Sequence, residues 1–360
     1  MSASKDSAAL SSSQRVLRAL DFQRPDRVPL HDSFWLEFVA AWRAEKGLPA
    51  DADISDYYGL DVRVVAPDET PFPSQAAVLK QDGDREVSRT GWGVVQRRRL
   101  SGKFFETVQV PLADKARADR LAFESPLLDC RYAPAEQVEV LKGRYCAFVK
   151  TGGPYLRTSN LRGTAQWLID LVEDEPFALE LAMRVTRHIA AVGLEAIRRY
   201  GLFHTGIWFY DDMGCNLGPM FSPRVFERVF LPCYQWMCAQ YRATRVAHIL
   251  LHCDGNIEPI LDMLVGAGIQ GLHPVEPKAG MDAVKLRGRY GTSLALLGGL
   301  DNARVIPRGS RRELEAHVRH VLEAGTEGGL VIGTHSIGPD VSVARYDLLH
   351  RLIRESGTYA

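Results

Sequence analysis

The residues best suited to chemistry in this chain stand where short apolar runs stop. Val246 to Leu251 ends on His252-Cys253-Asp254, and after an intervening helical pattern a second run ends on Glu276. Side chains at i and i+2 of an extended segment share a face, so His252 and Asp254 can converge on one ion or ligand while Cys253 points away. The plainer alternative is that His252 only ends a strand and Asp254 caps a helix whose first turn is Asn256 to Glu258. Other runs end the same way. Thr205 to Tyr210 stops at Asp211-Asp212, Ser293 to Gly299 at Leu300-Asp301, Gly329 to Gly333 at Thr334-His335-Ser336, and Val28-Pro29-Leu30 at His31-Asp32. Adjacent carboxylates such as Asp211 and Asp212 repel and desolvate each other, which is costly unless a cation or a proton is handled there. Helix capping is the competing role for either aspartate, and for Asp301.

Strands recur near 143, 205, 246, 269, 293 and 329 with helical patterns between them, which argues for a parallel sheet. With the opening strand at Val28 the count favours a single-domain (β/α)8 TIM barrel, in which side chains at the carboxyl ends of the strands share one open face. His31, Asp211, His252, Glu276, Asp301 and His335 are all expected there. Residues 1 to 13 read as a disordered tail and 14 to 360 as the barrel domain, entered through a helix from Gln14 to Phe22 capped by Ser13. An irregular N-terminal insertion occupies 36 to 110; within it Arg97 to Arg99 reads as a solvated strand face. At Thr151-Gly152-Gly153-Pro154 the glycines either admit a ligand close to the backbone or make a turn.

Composition narrows the function. Lys plus Arg equals Asp plus Glu at 44 each, without a basic stripe, so nucleic acid is not an expected partner. The apolar runs are strand-length, short of the roughly 18 residues that a membrane helix needs, and the polar start shows no signal-peptide core. Six cysteines without CxxC spacing fit a reduced cytoplasm. No glycine-rich nucleotide motif is present.

Several blocks carry a family resemblance in order: RVLRALDFQRPDRVPL, GGPYLRTSNLRG, FYDDMGCNLGPMFSPRVFERVFLPCY, HCDGNIEPILDMLVGAGIQGLHPVEPKAGMD, RYGTSLALLGGLD and GTHSIGPDV. From Gln14 to Arg354 the chain resembles the uroporphyrinogen decarboxylase superfamily, which holds the haem-pathway decarboxylase and a branch of cobalamin-linked and thiol methyltransferases. The decarboxylases carry arginines near the first strand for a polycarboxylate tetrapyrrole. Here that strand end is His31-Asp32-Ser33-Phe34-Trp35, with no arginine.

The methyltransferase branch implies a zinc site of the form His-x-Cys plus a distant Cys. On this chain those positions fall on His252, Asp254 and His335, so both thiolates are replaced by harder ligands, and with Glu276 they form an implied metal set of four. Such ligands favour Lewis-acid work on an oxygen or a bound water. The resemblance thus implies a metal-dependent methyltransferase or demethylase moving a methyl group between a small methylated substrate and a corrinoid or thiol acceptor. Asp211, Asp212 and Asp254 would be its catalytic carboxylates. Trp35, Trp208 and Tyr210 would form apolar walls, with His31, Asp32 and Asp301 also on the substrate. A corrinoid would arrive on a separate protein, since the chain has no Asp-x-His-x-x-Gly segment, and a homodimer is a further expectation. A metal-free decarboxylase, and a non-catalytic member binding a corrinoid or tetrapyrrole, are the alternatives that metal content separates.

Overall fold

The computed structural model describes residues 9–101 and 104–359. Eight parallel strands form the central sheet: β1 Leu30–His31, β2 Val62–Val65, β3 Cys146–Gly152, β4 Gly206–Tyr210, β5 His248–His252, β6 Gly271–Val275, β7 Ala295–Gly299 and β8 Leu330–Gly333. From β2 to β8 each strand pairs with its successor, and β1 pairs with β8 in parallel, so the sheet curls into the expected (β/α)8 barrel. Asp61 draws β1 and β2 together at the remaining seam. Its backbone N–H donates to Leu30 O at 2.9 Å and its carboxylate accepts from Leu30 N–H at 2.9 Å. That carboxylate is fully buried and receives Arg15 at 2.8 Å and Arg27 at 2.7 Å.

Alternation along the strands fills the barrel. Val62, Cys146, Phe148, Trp208, Leu250, Ala295, Leu297 and Val331 share one apolar cluster with Val16 and Leu20, contributed by the helix Ser12–Leu20. That helix begins earlier than expected. Ser11, not Ser13, is its cap, in a reciprocal capping box with Gln14, so residues 11 to 13 belong to the helix rather than to a tail. The expectation of disorder for residues 1 to 8 lies outside the described residues.

The insertion lies between β2 and β3. It holds an antiparallel sheet of Ala77–Asp82, Arg85–Arg89, Val95–Arg99 and Phe105–Gln109, where Arg97 meets the exposed Glu106 at 3.1 Å and Arg98 meets the buried Glu86 at 2.8 Å. The crossover helix Ala135–Arg144 comes only after this excursion. Among the described residues no helix is long and apolar enough to cross a membrane.

Candidate functional site

Register sets the upper layer of the barrel interior. His252 is paired with both Tyr210 and His273, and His31 with Gly333, so His31, Tyr210 and His252 stand at the strands' carboxyl ends with His273, midway along β6, in register beside them. Just beyond, the β5 and β6 ends supply Asp254 and Glu276, the β8 end His335, and the β4 end Asp212. Ligand atoms of His252, Asp254 and His335 all lie within 4.8 Å of one another. His252 Nε2 is 3.3 Å from Asp254 Oδ1 and 3.6 Å from Asp212 Oδ1, while His335 Nε2 is 3.3 Å from Asp254 Oδ2. Asp254 therefore bridges two imidazoles, and it does not cap the following helix, which starts at Glu258 after Ile257.

Glu276, expected among the metal ligands, has a different place. Its Oε1 is 3.3 Å from His335 Nδ1, on the far side of the ring from Asp254, and 2.9 Å from Lys278 Nζ. Its Oε2 accepts the Gly255 N–H at 2.8 Å. Gly255 reaches this position at φ 82°, and a Cβ there would meet the Cys215 backbone at 2.6 to 2.8 Å, so the turn requires glycine. A carboxylate beside Nδ1 favours the His335 hydrogen there, which in the neutral ring leaves the Nε2 lone pair facing Asp254.

The electrostatics follow burial first. Burial pushes the His252 pKa down to about 3, with Lys150, His335 and His31 adding to the effect. Burial pushes Asp254 up to about 6, with His335 opposing the rise and the charges of Asp212 and Glu276 adding to it. Asp212 is raised for the same reason. Burial also acts to raise Glu276, yet hydrogen bonds from His335, Lys278 and Gly255 together hold it down at about 2. The Glu276 hydrogen bond raises His335. Near pH 7 the site thus combines a neutral His252, a charged Glu276 and a carboxylate, Asp254, whose Oδ1 is buried without a hydrogen-bond partner.

Other expected site residues have hydrogen-bond partners or packing away from this cluster. Asp211 is fully buried and accepts from Leu156 N–H at 2.6 Å, Tyr155 N–H at 3.1 Å and Tyr234 Oη at 2.9 Å. It serves the first turn of the helix Pro154–Arg162, and burial raises its pKa to about 7 against those three donors. Gly153 permits that approach, since a Cβ there would collide with the Asp211 carboxyl, and Gly152 N–H donates to the buried Glu69 at 2.6 Å. Asp32 accepts from Thr334 N–H, Thr334 Oγ1 and Tyr346 Oη, each at 2.7 Å, pinning β1 to the end of β8. Asp301 caps its own turn through Ala303 and Arg304 N–H groups at 2.9 Å. Trp208, expected as a wall, is only 2% exposed and forms the floor beneath His31 and His273.

Trp35 remains at the rim, half exposed, with its indole N–H on Ser336 Oγ at 3.2 Å. Tyr210 lies under two cations, Arg157 at 4.5 Å and Lys150 at 5.0 Å from its centroid. Arg157 also pairs with Glu69 and meets the Tyr210 hydroxyl. Lys150, His273, Glu69 and Arg157 were not legible as site residues. The period-2 alternation from Phe148 would have aimed Lys150 inward, and the pairing of β5 with β6 would have placed His273 beside His252.

Comparison with known proteins agrees with this architecture. Among solved structures, a methyltransferase from Methanosarcina mazei matches with a TM-score of 0.67 at 18% identity, covering 96% of this chain and 99% of that one. A B12-independent methionine synthase from Shewanella sp. W3-18-1, solved with selenomethionine, matches with a TM-score of 0.46 at 10% identity, covering 93% and 94%. No curated protein sequence matches the chain significantly. The family model described as uroporphyrinogen decarboxylase (URO-D) matches residues 114–356, more than half of the sequence and every strand from β3 to β8, and the chain therefore belongs to the uroporphyrinogen decarboxylase family.

Proposed function

We propose that the protein is a methyltransferase or demethylase of this family that works on a small methylated substrate with one divalent metal, zinc by its donor set. The acceptor or donor would be a thiol or a corrinoid carried on a separate protein. The observation that carries the reading is the convergence of His252, Asp254 and His335 within 4.8 Å. Two imidazoles and a carboxylate form an open three-ligand set that zinc accepts. The residues fit an ion on a second count, because among the described residues the buried Asp254 Oδ1 has no donor in hydrogen-bonding geometry, His252 Nε2 standing 3.3 Å away, and a buried carboxylate oxygen in that state is stabilised by a cation. The methyltransferase from Methanosarcina mazei, similar in fold, supports methyl transfer as the reaction class.

When bound, the metal supplies Lewis acidity toward a substrate heteroatom or a thiol. The chain's own groups do the rest. Glu276 holds the hydrogen of His335 on Nδ1 and so keeps Nε2 available as a donor atom. Asp212, partly open to the mouth and 3.6 Å from His252, orients the substrate's heteroatom or gives it a proton. Tyr210 and the Lys150 ammonium above it form one wall, and Trp35 the rim.

One observation favours a second reading, a metal-free lyase. His335 stands between Asp254 and Glu276 with a raised pKa, as an imidazolium would, and could stabilise charge developing on a substrate carbanion. Elemental analysis of purified protein before and after chelator treatment, with methylcobalamin demethylation by a thiol followed by absorbance, separates the two. Bound metal and chelator-sensitive demethylation support methyl transfer. A metal-free protein that releases CO2 from a carboxylate substrate supports the lyase.

A further inference from the structure

A group of buried nitrogen atoms lies behind the His252 ring. His252 and His273 meet Nδ1 to Nδ1 at 2.7 Å, and at that separation one ring must donate and the other accept. His273 is 3% exposed, and its Nε2 has no hydrogen-bond partner among the described residues. Trp208 Nε1 and His31 Nδ1 are buried in the same condition. The three rings touch one another, with centroids 5.1 Å apart for His31 and Trp208, 5.3 Å for His31 and His273, and 5.2 Å for Trp208 and His273. Buried nitrogen groups are ordinarily paired, so three unpaired ones in a single contact cluster point to a shared purpose or a shared internal water.

Their chemistries are complementary. An indole N–H only donates. His31 is held neutral by burial, and its ring bonds the Val62 backbone, so its unpaired Nδ1 is an acceptor. His273 Nε2 thus has one donor and one acceptor as neighbours, and either can serve it according to which nitrogen of His273 carries the hydrogen.

We propose that His273, backed by Trp208 and His31, is a positioning residue that sets the tautomer of His252 and lets it change when the metal enters. This rests on the metal reading above. Without metal, His252 carries its hydrogen on Nε2 toward Asp254, His273 donates from Nδ1 to His252 Nδ1, and Trp208 N–H serves His273 Nε2. With metal on His252 Nε2, the order runs the other way. His252 donates from Nδ1 to His273 Nδ1, and His273 donates from Nε2 to His31 Nδ1, directly or through one internal water. Hydrogens balance. His252 gives up its Nε2 hydrogen to the solvent-side carboxylates and through them to solvent, the shared hydrogen crosses from His273 Nδ1 to His252 Nδ1, and His273 takes one up on Nε2 from an internal water that solvent reprotonates. The pair therefore holds two hydrogens in both states and stays neutral.

The test uses the full chain in zinc-free and zinc-loaded form. Nitrogen-15 NMR of labelled histidine rings, assigned with the His31→Gln and His273→Gln variants, is expected to show His252 moving from Nε2–H to Nδ1–H on loading, and His273 from Nδ1–H to Nε2–H. Chelator competition is expected to show zinc held about 10- to 100-fold more weakly by His273→Phe, with most of the loss restored in His273→Gln, which keeps a donor and an acceptor. Unchanged ring tautomers on loading overturn the proposal, and so does wild-type affinity in a folded His273→Phe. Should the wild type take up no zinc, the metal reading fails separately. The zinc-free tautomers then decide the chain of hydrogen bonds alone, and Nδ1–H on His252 with Nε2–H on His273 refutes it.

Discussion

Replacing Glu276 with Gln tests how the site is built rather than merely whether it exists. The carboxylate accepts from Gly255 N–H at 2.8 Å on Oε2, and its Oε1 forms ion pairs with Lys278 at 2.9 Å and His335 Nδ1 at 3.3 Å. A glutamine has one acceptor oxygen. If that oxygen stays on Gly255, the amide NH2 faces His335 Nδ1 donor to donor, and the imidazole escapes by moving its hydrogen to Nε2. That hydrogen then occupies the position from which the ring would hold an ion. Loss of a carboxylate behind a ligating histidine costs about 10- to 100-fold in metal affinity, which is about 1.4 to 2.7 kcal/mol. Removal of His335 itself should cost more. Competition against a chromophoric chelator measures the affinity, and a thermal melt of the apo protein shows that the variant remains folded. Zinc binding by folded Glu276→Gln within twofold of wild type would refute the argument that Glu276 acts through His335.

Two further predictions concern stability. Asp61→Ala leaves Arg15, Arg27 and the Leu30 N–H without their shared buried acceptor, and breaking such a pair costs roughly 3 to 5 kcal/mol; urea denaturation should show a loss of that size, and a loss under about 1 kcal/mol would contradict the seam described for β1 and β2. Burial lowers the pKa of His188 from 6.5 to about 4. The unfolded chain therefore binds the extra proton first, and stability is retained above pH 6.5 and lost as pH falls toward 4, by up to roughly 3 kcal/mol at about 1.4 kcal/mol per pH unit. Denaturation midpoints of wild type and His188→Gln across that window should diverge by this contribution, and parallel curves would remove His188 as the cause.

Strand-helix alternation made the barrel readable, because a parallel strand buried on both faces leaves an unbroken apolar run with a polar end. Val62–Val65 escaped notice for the converse reason: it is four residues long, its Arg63 breaks the run, and the excursion of residues 66–145 hides its partner β3. Within the site, His252, Asp254 and His335 were legible because each ends such a run. Their neighbours were harder to read. Asp211, Asp32 and Asp301 also end strands, yet which carboxylate faces the mouth and which caps a neighbouring backbone depends on contacts distant in sequence, such as Asp211 with Tyr155 and Asp32 with Tyr346. His273 sits within an apolar strand and was not singled out, although register brings it to 2.7 Å from His252. A strand-end position beside the implied zinc ligands assigned Glu276 to the ion; the side of the His335 ring that it meets is a three-dimensional fact.

The central claim is that His252, Asp254 and His335 together hold one ion, and the zinc content of purified His252→Ala and His335→Ala, measured by elemental analysis beside wild type, tests it most directly. Loss of a direct ligand should exceed the roughly 10- to 100-fold cost of losing an orienting partner. The account predicts stoichiometric zinc in the wild type and none retained through gel filtration by either variant. One tightly bound zinc per chain in either folded variant would contradict it.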